Sequence, residues 1–140
     1  MISNYKIKLG YKIWLELSDE TGNYPIIGEQ KIDLLKKIEE EGSINQASQV
    51  LDLDFKKAHE MLQDLQDQFR ENKLYNTERG RLGGTNLTLL ARTIIQTYDL
   101  LNSQISNYAE LVNTILENAD NIQERLKNEI FIQGKLNKVK

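Results

Sequence analysis

Residues 43–69 read SINQASQVLDLDFKKAHEMLQDLQDQF. The stretch encodes two helices separated by a tight turn. Ser43-Ile44-Asn45-Gln46 is a capping box: the serine hydroxyl accepts from the backbone N–H three residues on, and Gln46 is placed to bond back to the cap. The short helix that follows carries Ile44, Ala47, Val50 and Leu51. Asp52-Leu53-Asp54 turns the chain, and Asp54 stands where the cap of the next helix belongs. From Phe55 to Phe69, the apolar residues Ala58, Leu62, Leu65 and Phe69 recur at 4-3-4 spacing, the period of one buried helix face. At about 100° per residue, Lys56, Glu60, Gln63 and Asp67 point away from that face, with Lys57 and His59 on its two flanks.

Outward from this pair, the chain supplies a helix on one side and a hairpin on the other. Ile32, Leu35 and Ile38, with Leu34 beside them, predict a helix from Glu29 that ends at Glu41-Gly42. Upstream, Tyr5, Ile7, Leu9, Tyr11, Ile13 and Leu15 alternate with mostly polar residues, which predicts a strand over 5–17. Ser18 to Pro25 holds Asp19, Gly22, Asn23 and the only proline, which predicts a turn, and Ile26-Ile27 a short returning strand. Downstream, Leu74–Thr77 and Thr85–Leu87 flank Gly80, Gly83 and Gly84, the pattern of a β-hairpin with a glycine-rich tip. Thr88 is placed to cap a final helix.

That final helix has the most regular pattern in the chain. Ile94, Tyr98, Leu101, Ile105, Tyr108, Val112, Ile115, Ala119, Ile122 and Leu126 alternate at spacings of four and three, the seam of a coiled coil. As one helix, 94–126 spans roughly 50 Å at ~1.5 Å per residue. Such a seam either folds back on its own domain or pairs with a second chain. The small domain before it offers little surface, which favours pairing through Ile94, Tyr98, Leu101, Ile105, Tyr108, Val112, Ile115, Ile122 and Leu126. Asn118, Asp120 and Asn121 are residues that can break the helix near its end. The expected fold is therefore mainly α with a small β part. It comprises a winged helix-turn-helix domain over 1–92, a helical dimerisation region over 93–132 and a mobile basic tail over 133–140 bearing Lys135, Lys138 and Lys140.

Composition narrows the function classes. The 140 residues are 39% hydrophobic and 28% charged, enough for one compact domain with an accessory element. There is no cysteine and a single histidine, His59, so disulfides, thiolate sites and His/Cys zinc clusters are excluded. No carboxylate pattern matches an EF-hand, no glycine run matches a P-loop and no serine sits in a nucleophile elbow. A non-enzymatic protein with no cofactor is expected. No apolar run is long enough to span a bilayer, and the first residues lack a signal-peptide pattern, which points to the cytoplasm. The net charge is −3, but residues 70–92 hold five basic residues (Arg70, Lys73, Arg79, Arg81, Arg92) against Glu71 and Glu78. Such a local patch suits phosphate, and equally suits an ordinary solvated loop.

Three helices followed by a hairpin can bind DNA because one helix fits the major groove while the hairpin reaches the neighbouring backbone or minor groove. The start of the third helix enters first, so Lys56, Lys57, His59, Glu60 and Gln63 are the candidate contacts. Lysine can donate to guanine or phosphate, glutamine can pair with adenine, and glutamate can accept from cytosine. Phe55 serves either as a staple contact or against the DNA backbone. Arg79 and Arg81 at the hairpin tip suit phosphate or a narrow minor groove. Lys73 and Arg92 are weaker phosphate candidates.

Over residues 11–98 the chain resembles the N-terminal DNA-binding domain of ModE-type molybdate-responsive regulators, which are relatives of the LysR-type winged helices. The likeness rests on Lys12-Ile13-Trp14-Leu15-Glu16, Gly28-Glu29, Ile32-Asp33-Leu34-Leu35-Lys36-Lys37-Ile38, Gly42-Ser43-Ile44, Ala47, Phe55-Lys56-Lys57-Ala58 and Leu87-Thr88. The resemblance implies a homodimeric transcription regulator on a palindromic operator. It places further DNA contacts on Ser43, Asn45, Gln46 and Thr85. Departures are His59 where the family usually has tryptophan, Ala91 where a glycine commonly follows, and a wing poorer in glycine. Full-length members carry C-terminal oxyanion-binding domains of β structure, whereas this chain has a heptad helix, so no small-molecule effector is evident. The alternative function is a protein-interaction adaptor or anti-repressor that uses the same scaffold and coiled coil.

Overall fold

The computed structural model describes residues 6–78 and 84–139, apart from the side chains of 25, 26, 120, 122, 123 and 130–139. The chain is mainly helical, with two small antiparallel sheets and a long C-terminal helix. The element order is β1 (Leu15–Asp19), β2 (Gly22–Ile27), α1 (Glu29–Glu41), α2 (Ile44–Val50), α3 (Phe55–Phe69), β3 (Tyr75–Thr77), β4 (Thr85–Leu87) and α4 (Leu89–Val139). Two compact units are present. One spans Lys12–Asn102; the other joins the N-terminal segment up to Tyr11 to the chain from Ser103 onward. Among the described residues no helix is long and apolar enough to cross a membrane.

The 12–102 unit has one core. Ile32, Leu34, Leu35 and Ile38 of α1 meet Ile44 and Ala47 of α2 and Ala58, Leu62 and Leu65 of α3 there. Ile27, Leu74, Leu87, Ala91 and Tyr98 complete it. The apolar spacings in each helix thus become buried faces. Helix α1 stops at Gly42, which adopts φ 77° and returns its N–H to the Ile38 carbonyl at 2.8 Å. This left-handed conformation is one that glycine enters without steric cost. The Ser43 hydroxyl then accepts from the Gln46 N–H at 3.0 Å and starts α2. Between α2 and α3, Asp52 takes φ 55° and the Leu53 N–H reaches the Ser48 carbonyl at 2.8 Å. Thr88 caps α4: its hydroxyl accepts from the Ala91 N–H at 3.3 Å and donates to the Lys73 carbonyl at 2.7 Å. The cap of α4 thereby fixes the approach to β3.

Four local expectations need correction. The strand expected over 5–17 begins only at Leu15. Alternation describes a two-sided extended chain, but a strand needs a partner, and β2 pairs only with Leu15–Asp19. Ile13, Leu15 and Leu17 use the alternation to pack on the core, whereas Ile7, Leu9 and Tyr11 remain exposed. Pro25 lies in β2 opposite Glu16, beside a shift of register between Leu15 and Glu16; the turn itself is Glu20-Thr21. An irregular edge of this kind tolerates a residue with no N–H. Asp54 occupies the cap position of α3 but its side chain makes no capping hydrogen bond. Finally, α4 runs through Asn118, Asp120 and Asn121 without a break. Their helix propensities fall short of alanine's by only about 0.5 kcal/mol each, too little to stop a long helix.

The start of α4 is held to α1 from within the same unit. Lys36 pairs with Asp99 at 2.5 Å, Arg92 with Glu39 at 3.0 Å, and the Tyr98 hydroxyl donates to the Ile13 carbonyl at 3.2 Å. Burial, with Glu29 and Asp33 nearby, pushes the Tyr98 phenol above its ordinary value.

Candidate nucleic-acid interface

Helix α3 presents two chemically distinct faces. Ala58, Leu62 and Leu65 are buried, while Lys56, Lys57, His59, Glu60, Gln63, Asp64 and Asp67 are exposed. Among the described residues, neither Lys56 nor Lys57 has an ion-pair partner. Phe55 is 47% exposed at the first turn, and its ring meets His59 edge-on with centroids 6.0 Å apart. The basic residues of α3 stand in its first turn; the carboxylates Asp64 and Asp67 stand in its second half. An anion approaching the first turn therefore meets two ammonium groups, and one approaching the far end meets like charge.

Gln63 is less available than its exposure implies. Its amide donates to Asp67 at 2.9 Å and accepts from the Tyr75 hydroxyl of β3 at 3.4 Å. Beside it lies an open cleft of about 370 Å³, lined by Gln63, Gln66, Arg70, Lys73 and Tyr75 among others. Partial burial and the Asp67 charge push the Tyr75 phenol above its ordinary value.

The hairpin β3–β4 meets the corner between α1 and α2 at the loop end of β4. Thr85 donates its N–H to the Gly42 carbonyl at 2.8 Å, so β4 hydrogen-bonds the corner between α1 and α2. A Cβ on Gly84 would run into that same carbonyl, so only glycine permits the approach. The Glu78 N–H reaches the Gly84 carbonyl at 2.8 Å, and the Asn86 amide donates to Glu78 at 3.1 Å. Leu74, at the hairpin's entry, is tied to α3 by Gln66. That side chain accepts from the Leu74 N–H at 2.7 Å and donates to the carbonyls of Arg70 and Asn72.

The remaining candidate contacts fall in different places. Ser43 is engaged as the α2 cap, and Asn45 and Gln46 are exposed on that helix. Thr85 is buried at the loop end of β4, opposite Thr77. Arg79 and Arg81 lie outside the described residues. Lys73 is exposed, and Arg92 is engaged with Glu39. The structure thus brings Phe55, Lys56, Lys57, His59 and Glu60 onto one exposed patch and assigns Ser43, Gln63 and Thr85 structural bonds. The Thr85–Gly42 contact and the Gln66 clasp escape sequence reasoning. Gln66, beside buried Leu65, is the one visible hint.

Along α4 the seam residues divide between the two units. In the 12–102 unit, Tyr98 is buried in the core, Ile94 packs against it, and Leu101 is 41% exposed. Beyond Ser103, Ile105, Tyr108, Ile115 and Leu126 are exposed and Val112 is half-buried; the Ile122 side chain lies outside the described residues. Ala109 is buried, and Asn113 accepts the Leu9 N–H at 2.6 Å on its side-chain oxygen. Compared with models of known protein families and with curated proteins, the chain matches none.

Proposed function

We propose that this chain is a cytoplasmic winged helix-turn-helix transcription regulator of the ModE-like type, binding a palindromic operator as a homodimer. Helix α3 enters the major groove by its first turn, with Lys56, Lys57, His59 and Glu60 facing the DNA, and the hairpin tip with Arg79 and Arg81 reaches the adjacent backbone. The observation that carries this reading is the exposed first turn of α3, where two lysines stand without ion-pair partners among the described residues. Ammonium groups there gain counterion release on meeting phosphate, while Asp64 and Asp67 keep the far half of the helix off the backbone. Selection of bound duplexes from a random pool tests the proposal directly. A paired half-site motif, with affinity falling steeply as salt rises, is the expected result. Failure to enrich any sequence, with residual binding indifferent to salt, would overturn it.

A protein-interaction adaptor is the second reading. It is favoured by the acidic residues Asp64 and Asp67 on the exposed face of α3 and by the exposed apolar residues of α4. A stoichiometric partner protein captured through 94–126, together with no measurable affinity for DNA, would select it.

A further inference from the structure

The N-terminal segment 6–11 lies against α4, anchored where the Leu9 N–H meets the Asn113 side chain at 2.6 Å. It is the only other chain in that unit among the described residues, and the helix residues on its side are covered: Ala109 is buried and Leu116 half-buried. The segment does not cover the apolar stripe. At about 100° per residue, Tyr108 and Ile115 lie roughly a quarter to a third of a turn beyond Ala109 and Leu116, and Leu111 about two fifths of a turn. They remain 63%, 57% and 57% exposed. The segment's own apolar residues Ile7, Leu9 and Tyr11 are 65%, 39% and 41% exposed. A strap beside a stripe, both apolar and both uncovered, makes one surface wider than a helix seam.

We infer that a second copy of this chain covers strap and stripe together, so that self-association requires residues 6–11 as well as α4. The inference rests on the homodimer reading and adds the strap to its interface. Area favours a second copy: taking about 200 Å² per large side chain, the six residues leave roughly 640 Å² exposed, about four fifths of the ~800 Å² each partner gives a standard interface.

Light scattering and sedimentation equilibrium on the full chain test this. The wild type is expected at twice its 16.2 kDa mass. Ile7→Asp and Leu9→Asp are each expected to raise the dimer dissociation constant at least about tenfold, as Ile115→Asp does, while Glu117→Lys changes it less than about twofold. Should an aspartate variant lose helicity by circular dichroism, Ile7→Ser and Tyr11→Ser replace it, with the same rise expected. A wild-type dimer broken by Ile115→Asp but unaffected by every strap variant would overturn the inference and leave the dimer standing. A monomeric wild type would overturn both.

Discussion

At the scale of single residues, the most constrained position is Gly84. Its Cα faces the Gly42 carbonyl, which accepts the Thr85 N–H. Gly84→Ala must push the hairpin off that corner, and a loss of about 1–3 kcal/mol in urea unfolding is expected, as for overpacked interiors. Amide exchange at Thr85 should accelerate at the same time. Tyr98 makes a second prediction. Its phenol keeps its proton above the ordinary range because it is buried near Glu29 and Asp33. A folded value raised above the unfolded one contributes stability that is present below about pH 10 and lost as pH climbs through the raised value. The urea midpoint should therefore fall at alkaline pH, and Tyr98→Phe should flatten that fall. Neither residue's role could be read from the chain. Gly84 looks like one more hairpin glycine, and Tyr98 looks like one seam residue among ten.

At the scale of elements, local pattern was the better guide. The 4-3-4 spacing located α3 at Phe55–Phe69, and Ser43, Gly42 and Thr88 bound their helices as their chemistry requires. Leu62 is 1% exposed in α3, so Leu62→Ala should cost about 2–5 kcal/mol by thermal or urea unfolding. On the opposite face, Lys56→Ala and Lys57→Ala should leave stability within about 0.5 kcal/mol. Each should also lower the slope of log affinity against log salt by about one. The elements misjudged from sequence are those whose outcome depends on distant chain. Alternation over 5–17 cannot say which half will find a partner strand, and polar residues at 118–121 do not outweigh a continuous hydrogen-bond ladder. Gln63 shows the same limit at the candidate site: its type suits base recognition, but its amide is committed to Asp67 and Tyr75.

At the scale of the molecule, the division of α4 between two units bears on association. The seam is uniform in sequence, yet Tyr98 serves the core of the 12–102 unit while Tyr108 and Ile115 stay exposed. Periodicity records that a face is apolar; it does not record what covers it. If a second copy covers the exposed part, unfolding is coupled to dissociation, and the thermal midpoint should rise with protein concentration. Differential scanning calorimetry across a hundredfold range, roughly, resolves this, since a monomer's midpoint stays fixed.

The contact at Gly42 and Gly84 also limits how the chain can vary. The obstacle to a side chain at 84 is a backbone carbonyl, and no substitution at 42 removes a carbonyl. Gly42 is itself held at φ 77° by its place at the end of α1. A damaging change at 84 therefore has no second-site remedy at its partner. In a genetic suppressor screen started from Gly84→Ala, revertants should arise by restoring glycine, or by changes that shift the hairpin strands, and none should map to residue 42.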